Sequence, residues 1–258
     1  MFRQQSTRFL YKAHAVGAAG TFTKPHAEHM EAQASCAMAL HGGKSTGFTE
    51  NFNHRNIVRF RTAYSQTLGS YRPPASLADL PLDTREDDPR LVGSWNSLVT
   101  TEIQGLNIHS VVTCDRLVAR FASHHFEDGR EATFQTLGSY FENLKVGGQL
   151  VDFELDNGIL TEWDTHSKAA TGCLSRKPYR ISADGQRIYT SIVKHVKWGK
   201  SELPENVIQF PDFGSIHLGE IMISSAERRL VMLRVEFGCE VEGDGNFGDV
   251  GGNGHTYP

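Results

Sequence analysis

Period-two alternation of apolar and charged side chains is the feature that most constrains how this chain can fold. It is clearest in residues 229–238, where apolar side chains from Val231 to Phe237 alternate with Arg234 and Glu236. Successive side chains of a β-strand point to opposite faces of its sheet. The pattern therefore predicts a strand with one buried face and one exposed face.

Alternation of the same kind recurs along the chain. In residues 56–68, Val58, Phe60 and Tyr64 are predicted to share a buried face, opposite Arg59. Further strands are predicted over residues 8–16, 107–122, 131–146, 207–210 and 214–223.

Helical spacing appears once. Leu160 and Trp163 fall on one side of a helix predicted over residues 159–170, with Asn157 as its N-cap. Gly147 and Gly148 predict a tight hairpin turn. Long strands, many turns and one short helix predict an all-β fold, namely an antiparallel β-sandwich or barrel-like domain.

Three segments lack a regular period and are predicted to be irregular. Residues 17–54 are rich in Gly, Ala, His and Thr, and residues 72–93 contain four prolines. Residues 239–258 are rich in glycine, which brings little apolar surface to offset the entropy lost on ordering. We therefore expect a single β-rich domain over residues 1–238, followed by a flexible Gly-rich tail.

Charge and hydropathy exclude some classes of partner. The net charge of −4 and the pI of about 6.3 argue against a nucleic-acid-binding protein, which needs clustered cations to bind phosphates. Lys12 and His14 interrupt the one apolar stretch near the N-terminus. The sequence therefore predicts no signal peptide and no membrane insertion, which favours a cytoplasmic over an extracellular location.

The four cysteines show no metal-binding or redox spacing. None lies two residues from another, as a CxxC motif requires. We therefore expect free thiols in a reducing compartment. The four are Cys36, Cys114, Cys173 and Cys239.

Two stretches carry a family resemblance. The first is IQGLNIHSVVTCDRLVARF followed by LGSYFENLKVGGQLV, and the second is NVIQFPDFGSIHLGEIMIS followed by RRLVMLRVEFG. Together they resemble the bacterial proteins labelled choice-of-anchor P and related uncharacterised bacterial proteins. Residues 1–90 lie outside the resemblance. It implies a non-catalytic β protein and brings no site residues with it.

One motif resembles a nucleotide-binding loop. Gly43, Lys44, Ser45 and Thr46 match the end of the phosphate-binding pattern, but Met38 stands where the pattern needs its first glycine. That loop also joins a strand to a helix in an α/β fold. The sequence therefore predicts a plain turn here.

Metal sites are the remaining candidates for site chemistry. A β-barrel could gather imidazole and carboxylate ligands from separate strands. The candidates for such a site are His109, His195, His217 and Glu220. Oxygen ligands in a Gly-rich turn could instead bind calcium, and the candidates for that site are Asp244, Asn246 and Asp249. No catalytic residue and no cofactor is indicated.

Two functional hypotheses remain. In the first, the protein is non-catalytic and self-associates into an oligomer or structural assembly, through strand edges or through the terminal segments 17–54 and 239–258. In the second, it is an enzyme, or a protein that binds a small molecule or metal, with its site inside a barrel or between sheets. The absence of a catalytic motif favours the first.

Overall fold

Strands dominate the computed structural model of this chain, as the alternation predicts. It describes residues 8–76, 80–81, 88–136, 138–163, 165–172, 180–203, 206–224, 227–238 and 240–257. These residues form two antiparallel β-sheets that pack face to face. The prediction of an all-β sandwich is confirmed.

The described residues contain nineteen strands and two short helices. In chain order these are β1 (Arg8–Lys24), β2 (Glu28–Gln33), β3 (Cys36–Ala37), β4 (Gly43–His54), β5 (Val58–Arg72), β6 (Ser94–Ile108), β7 (Val112–Phe126), β8 (Thr133–Thr136), β9 (Tyr140–Glu142), β10 (Lys145–Val146), β11 (Gln149–Leu155), α1 (Ile159–Glu162), α2 (His166–Gly172), β12 (Arg180–Ile181), β13 (Ile188–Ser191), β14 (Val193–Trp198), β15 (Ser201–Leu203), β16 (Val207–Phe210), β17 (Gly214–Ile223), β18 (Arg228–Gly238) and β19 (Glu242–Tyr257).

The first sheet has the order β12-β13-β17-β18-β19-β1-β2, with β16 also beside β17 and β3 also beside β1. The second has the order β15-β14-β11-β10-β7-β6-β5-β4. The short strands β8, β9 and β10 pair in succession along one edge of β7. Strands β1, β18 and β19 pack against β5, β6 and β7, so the core lies between these two groups.

Both sheets contain a row of residues at which the alternation changes phase. In β18 the buried positions are Arg228 and Leu230 before Met232, but Leu233 and Val235 after it. The strand pairing keeps one register on both sides of this row. We call it the first kink row, and it consists of Gly17, Gly248, Met232 and Gly219.

The second sheet has an equivalent second kink row, which consists of Asn51, Arg61, Gly105 and Asp115. Asn51 and Gly105 have left-handed backbone angles, with φ of 51° and 67°. A residue in this conformation breaks the extended geometry that sends successive side chains to opposite faces. The row explains why Tyr64, predicted to be buried with Phe60, is 37% exposed.

The prediction of a flexible Gly-rich tail is wrong. Residues 242–257 form β19, which lies inside the first sheet between β18 and β1. Several positions of β19 require glycine because side chains from other strands occupy the space where a Cβ would lie. A Cβ at Gly254 would lie 2.0 Å from the ring of Phe9, and one at Gly248 would lie 2.3 Å from Leu117. Phe247 and Val250 are fully buried and supply the apolar face.

The irregular segment predicted over residues 17–54 is also wrong, because it contains the end of β1 and all of β2, β3 and β4. Several buried positions here hold small side chains, such as Ala18 and Ala34, which give little alternation signal. The connection predicted over residues 72–93 is confirmed for its described residues, which hold only the last residue of β5 and a 3-10 turn at Pro89–Leu91.

The helix predicted over residues 159–170 is divided into α1 and α2. Trp163 has φ −108° and ψ 44°, outside the helical region, and ends α1. Gly158, not Asn157, is the N-cap residue, while the Asn157 amide donates to the Ser139 carbonyl at 3.2 Å. The hairpin turn predicted at Gly147 and Gly148 is confirmed between β10 and β11.

Two of the four cysteines are described, and both Cys36 and Cys114 are buried free thiols, as expected. Cys173 and Cys239 lie outside the described residues. Neither helix in the described part of the chain is long and apolar enough to cross a membrane.

The kink rows lead to a prediction about two glycines with nearly equal backbone angles. Gly105 and Gly248 have φ of 67° and 68°, but a Cβ at Gly105 meets nothing closer than 3.3 Å. We expect Gly105→Ala to lower the free energy of unfolding by about 1 kcal/mol, mainly from backbone strain, because the contact with Arg61 Cβ needs only a small shift. Gly248→Ala adds a clash with Leu117, so its cost should be larger by about 1–3 kcal/mol. Urea unfolding measures both, and equal costs would contradict the packing of Leu117 on this row.

Candidate functional site

The four residues predicted as metal ligands lie on separate parts of the sandwich. His109 lies in the turn between β6 and β7, and His195 lies on β14 beside Glu202. His217 and Glu220 share the outer face of β17, where His217 Nδ1 is 3.6 Å from Glu220 Oε1. The structure therefore brings together only the last two.

His217 and Glu220 belong to an ion-pair network that contains an arginine. Arg234 of β18 donates to Glu220 Oε1 at 3.0 Å and also to Glu236. His217 Nε2 is 3.4 Å from Glu236 Oε2. Burial and the nearby Arg234 charge lower the pKa of His217. A guanidinium at the centre of this group holds the carboxylates that a metal ion would need.

Asp244, Asn246 and Asp249, the predicted calcium ligands, lie along the extended strand β19. At roughly 3.3 Å per residue, Asp244 and Asp249 are too far apart to share an ion. Asp249 instead accepts two hydrogen bonds from Arg229, one of them at 2.7 Å. Burial alone would raise the pKa of Asp249, but hydrogen bonds from His14 and Arg229 outweigh it and hold the pKa low.

No group of three or more His, Cys, Asp or Glu side chains is placed to hold a metal ion within the described ranges.

A cavity of about 490 Å³ opens between the sheets at one end of the sandwich. Its walls come from β1, β18 and β19 of the first sheet, from β7 and β8 of the second, and from the start of α2. The lining residues are Lys12, His125, Glu131, Ala132, Phe134, His166, Arg228, Asn253, Gly254 and His255.

Arg228 places a buried positive charge on the wall of this cavity. It is the first residue of β18, pairs with Gly252 and is 1% exposed. Its guanidinium carbon lies 4.2 Å from the centre of the Phe134 ring in the opposite sheet, and Nη1 donates to the Ser224 carbonyl at 3.1 Å. The ring face stabilises the cation, and the contact joins the two sheets at the cavity.

His125 is the second buried polar group on the wall. It is 9% exposed, and its ring contacts Phe9 and Phe134 at centroid distances of 4.9 and 6.0 Å. Its Nε2 is buried without a hydrogen-bond partner among the described residues. Burial, with a smaller contribution from His124, lowers the pKa of His125 to about 4. At neutral pH it is an uncharged imidazole whose buried Nε2 has no hydrogen-bond partner among the described residues.

The single carboxylate among the described lining residues is already engaged. Glu131 Oε1 accepts hydrogen bonds from the backbone N–H groups of His166 and Ser167, the latter at 3.3 Å. These bonds hold the first turn of α2, and with it His166, at the cavity. Among the described lining residues, Lys12 and Arg228 are basic and Glu131 is the acidic one.

A second cavity of about 490 Å³ lies at the same end of the molecule, lined by Phe9, Tyr11, His41, Gly69, Ser70, Tyr71 and Trp95. Phe9 and Trp95 stack in parallel at 5.0 Å, and the Tyr71 hydroxyl donates to Glu127 at 3.0 Å. The walls of this second cavity are mainly aromatic. Phe9 and Trp95 already contact each other, and the Tyr71 hydroxyl already has a hydrogen-bond acceptor. The cavity beside Arg228 is therefore the better candidate site.

The alternation in the sequence contained a signal for His125 but not for Arg228. His125 continues the phase of Leu117, Ala119 and Phe121, which are apolar and buried. Arg228 continues the phase of Arg234 and Glu236, which predicts an outward side chain. The first kink row reverses that phase at Met232 and turns Arg228 inward.

Comparison with known proteins gives one family match. The model of a family described as a domain of unknown function, DUF8256, matches residues 9–184, about two-thirds of the chain. No curated protein matches. No solved structure matches either. The resemblance to the choice-of-anchor P proteins is not tested by this match and stays a prediction.

The lowered pKa of His125 leads to a prediction about stability. Between pH 6.5 and about 4 the unfolded chain protonates this imidazole and the folded chain does not. The unfolded state then binds more protons, so stability falls as the pH falls through this window, by roughly 3 kcal/mol at its lower end. We expect His125→Gln to flatten the dependence, measured by urea unfolding at stepped pH. The exposed His26→Gln is the control, and equal slopes in wild type and His125→Gln would contradict the buried state of His125.

Proposed function

The chain belongs to the DUF8256 family, and from the geometry of its cavity we propose that it binds a small anionic molecule between its two sheets. The observation that carries the proposal is the buried Arg228 on the cavity wall, together with Lys12 and the unpartnered Nε2 of His125. A volume of about 490 Å³ lies within the range of small-molecule sites.

The wall chemistry indicates what part of a ligand each residue would contact. A guanidinium recognises a carboxylate or phosphate through paired N–H donors, and it does so best where water is excluded. His125 can give or accept one further hydrogen bond. Phe134 and Ala132 present an apolar surface beside these groups. The ligand class that fits is a small carboxylate or phosphate ester with an apolar or planar portion.

Binding fits this wall better than catalysis. No Ser, Thr or Cys nucleophile is among the described lining residues. An imidazole with a pKa of about 4 is a weak general base at neutral pH, because efficient proton transfer needs a pKa near the working pH. A cytoplasmic location, where Cys36 and Cys114 stay reduced, is part of this proposal.

Binding of inorganic phosphate, succinate and benzoate, measured by calorimetry at low salt, tests the proposal. We expect at least one of these anions to bind. Arg228→Met should weaken that binding by about 10–100-fold, because hydrogen bonds to a charged group contribute about 1.5–3 kcal/mol. Lys12→Gln, at an exposed position where folding is not at risk, should weaken it by a smaller factor that disappears at high salt.

Arg120→Met is the control, because Arg120 is exposed on the outer side of β7, away from the cavity wall. If none of the three anions binds at millimolar concentration, or if Lys12→Gln and Arg228→Met both bind as the wild type does, the proposed function is wrong.

A further inference from the structure

We propose that the outer edge of β4 binds a second copy of this chain, with the two β4 strands antiparallel about Gly47. This surface is distinct from the cavity. β4 is the last strand of the second sheet, and within the described residues it pairs only with β5, on one side. The backbone groups along its other edge can template a further strand.

The usable part of this edge is the regular segment from Gly43 to Glu50. Its pairing with β5 is continuous over these residues, and Asn51, with φ of 51°, kinks the strand immediately afterwards. Four side chains of the segment project from the outer face and are exposed, and Phe48 is 58% exposed. The four are Lys44, Thr46, Phe48 and Glu50.

Backbone geometry limits how two copies of this segment can pair. Along an edge strand, only alternate residues direct their N–H and C=O groups outward. An antiparallel partner must align outward groups with outward groups, so the two residue numbers in each facing pair must have an even sum. A register centred on Gly47 places residues 44–50 of one copy opposite residues 50–44 of the other. Centring on Phe48 would shorten the regular pairing, because the kink at Asn51 would then fall within it.

Charge complementarity selects the register about Gly47. Lys44 of one copy then faces the partner's Glu50, and two-fold symmetry repeats the pair at the other end. Centring on Thr46 would instead place Lys44 opposite the partner's Phe48. Neither Lys44 nor Glu50 has an ion-pair partner among the residues that the structure describes. Opposite charges that face each other across strands stabilise the pairing, and like charges destabilise it.

The apolar surface beside β4 also favours a protein partner. Phe48 is adjacent to Tyr64 on β5, and Leu68 on β5 is adjacent to Leu98 on β6. All four are exposed on the outer face. Pairing of two β4 strands makes the second sheets of both copies continuous, so the partner's Thr46 and Phe48 extend this surface. The pattern is self-complementary, which is the property of an isologous two-fold interface.

Sedimentation of the full chain over a hundredfold concentration range, up to about 1 mM, tests the proposal. We expect the wild type to form dimers. Lys44→Glu and Glu50→Lys should each weaken dimerisation at least about tenfold, because each places two like-charged pairs face to face. The double variant Lys44→Glu/Glu50→Lys restores opposite charges and should dimerise within about threefold of the wild type.

Lys200→Glu, at an exposed position outside β4, is the control for net charge. A wild type that stays monomeric at every concentration would overturn the proposal. So would single variants that dimerise as the wild type does, or a double variant no better than the singles. Anion binding by Lys44→Glu should match that of the wild type, so failure of the dimer and failure of the cavity are distinguishable.

Discussion

The change of alternation along the two kink rows is the constraint on which the rest of this sandwich depends. Each row crosses four neighbouring strands, and in each the pairing register is the same before and after it. Since register is kept, the side chains must exchange faces in all four strands together. Gly248 lies against Leu117 of the opposite sheet and Gly17 lies against Ala63, so the sheets approach closely along the first kink row. A side chain larger than hydrogen would prevent that approach.

The candidate site follows from this constraint. The reversal at Met232 turns Arg228 toward the interior, where it meets Phe134 of the other sheet. The same kind of reversal at Gly219 places His217 and Glu220, three residues apart, on one outer face, where Arg234 links them into an ion-pair network. One backbone feature thus places Arg228 inside the cavity and an ion-pair network on the outer face. The difference in burial explains why the first is the better candidate for a ligand site.

Much of the fold could be predicted from local alternation, and the errors have a common cause. Strands β17 and β18 were predicted within one residue of their bounds and β5 within four, because large apolar side chains alternate on each side of their kinks. The strand predicted over residues 107–122 instead spans the end of β6, a turn and most of β7. Strand β19 was missed because its glycines have no side chain, and their positions are filled by Phe9 and by Leu117 from distant parts of the chain. Strands β2, β3 and β4 were missed because they hold few buried side chains, namely Met30 and Cys36, and so give little alternation signal. Of the two site residues, the alternation indicates a buried His125, but it predicts that Arg228 faces outward.

By itself, the sequence determined the β class, the positions of the strongest strands and the lack of a known catalytic motif, because these depend on the period and chemistry of neighbouring residues. Tertiary structure decided which face of each strand is buried beyond its kink, where the Gly-rich strand lies and which charged residues meet. Those outcomes depend on backbone angles at single residues such as Gly219 and Gly248, and on side chains that approach from the opposite sheet. Neither is encoded in the local pattern of a strand, because the space a residue occupies is set by partners far away in the chain.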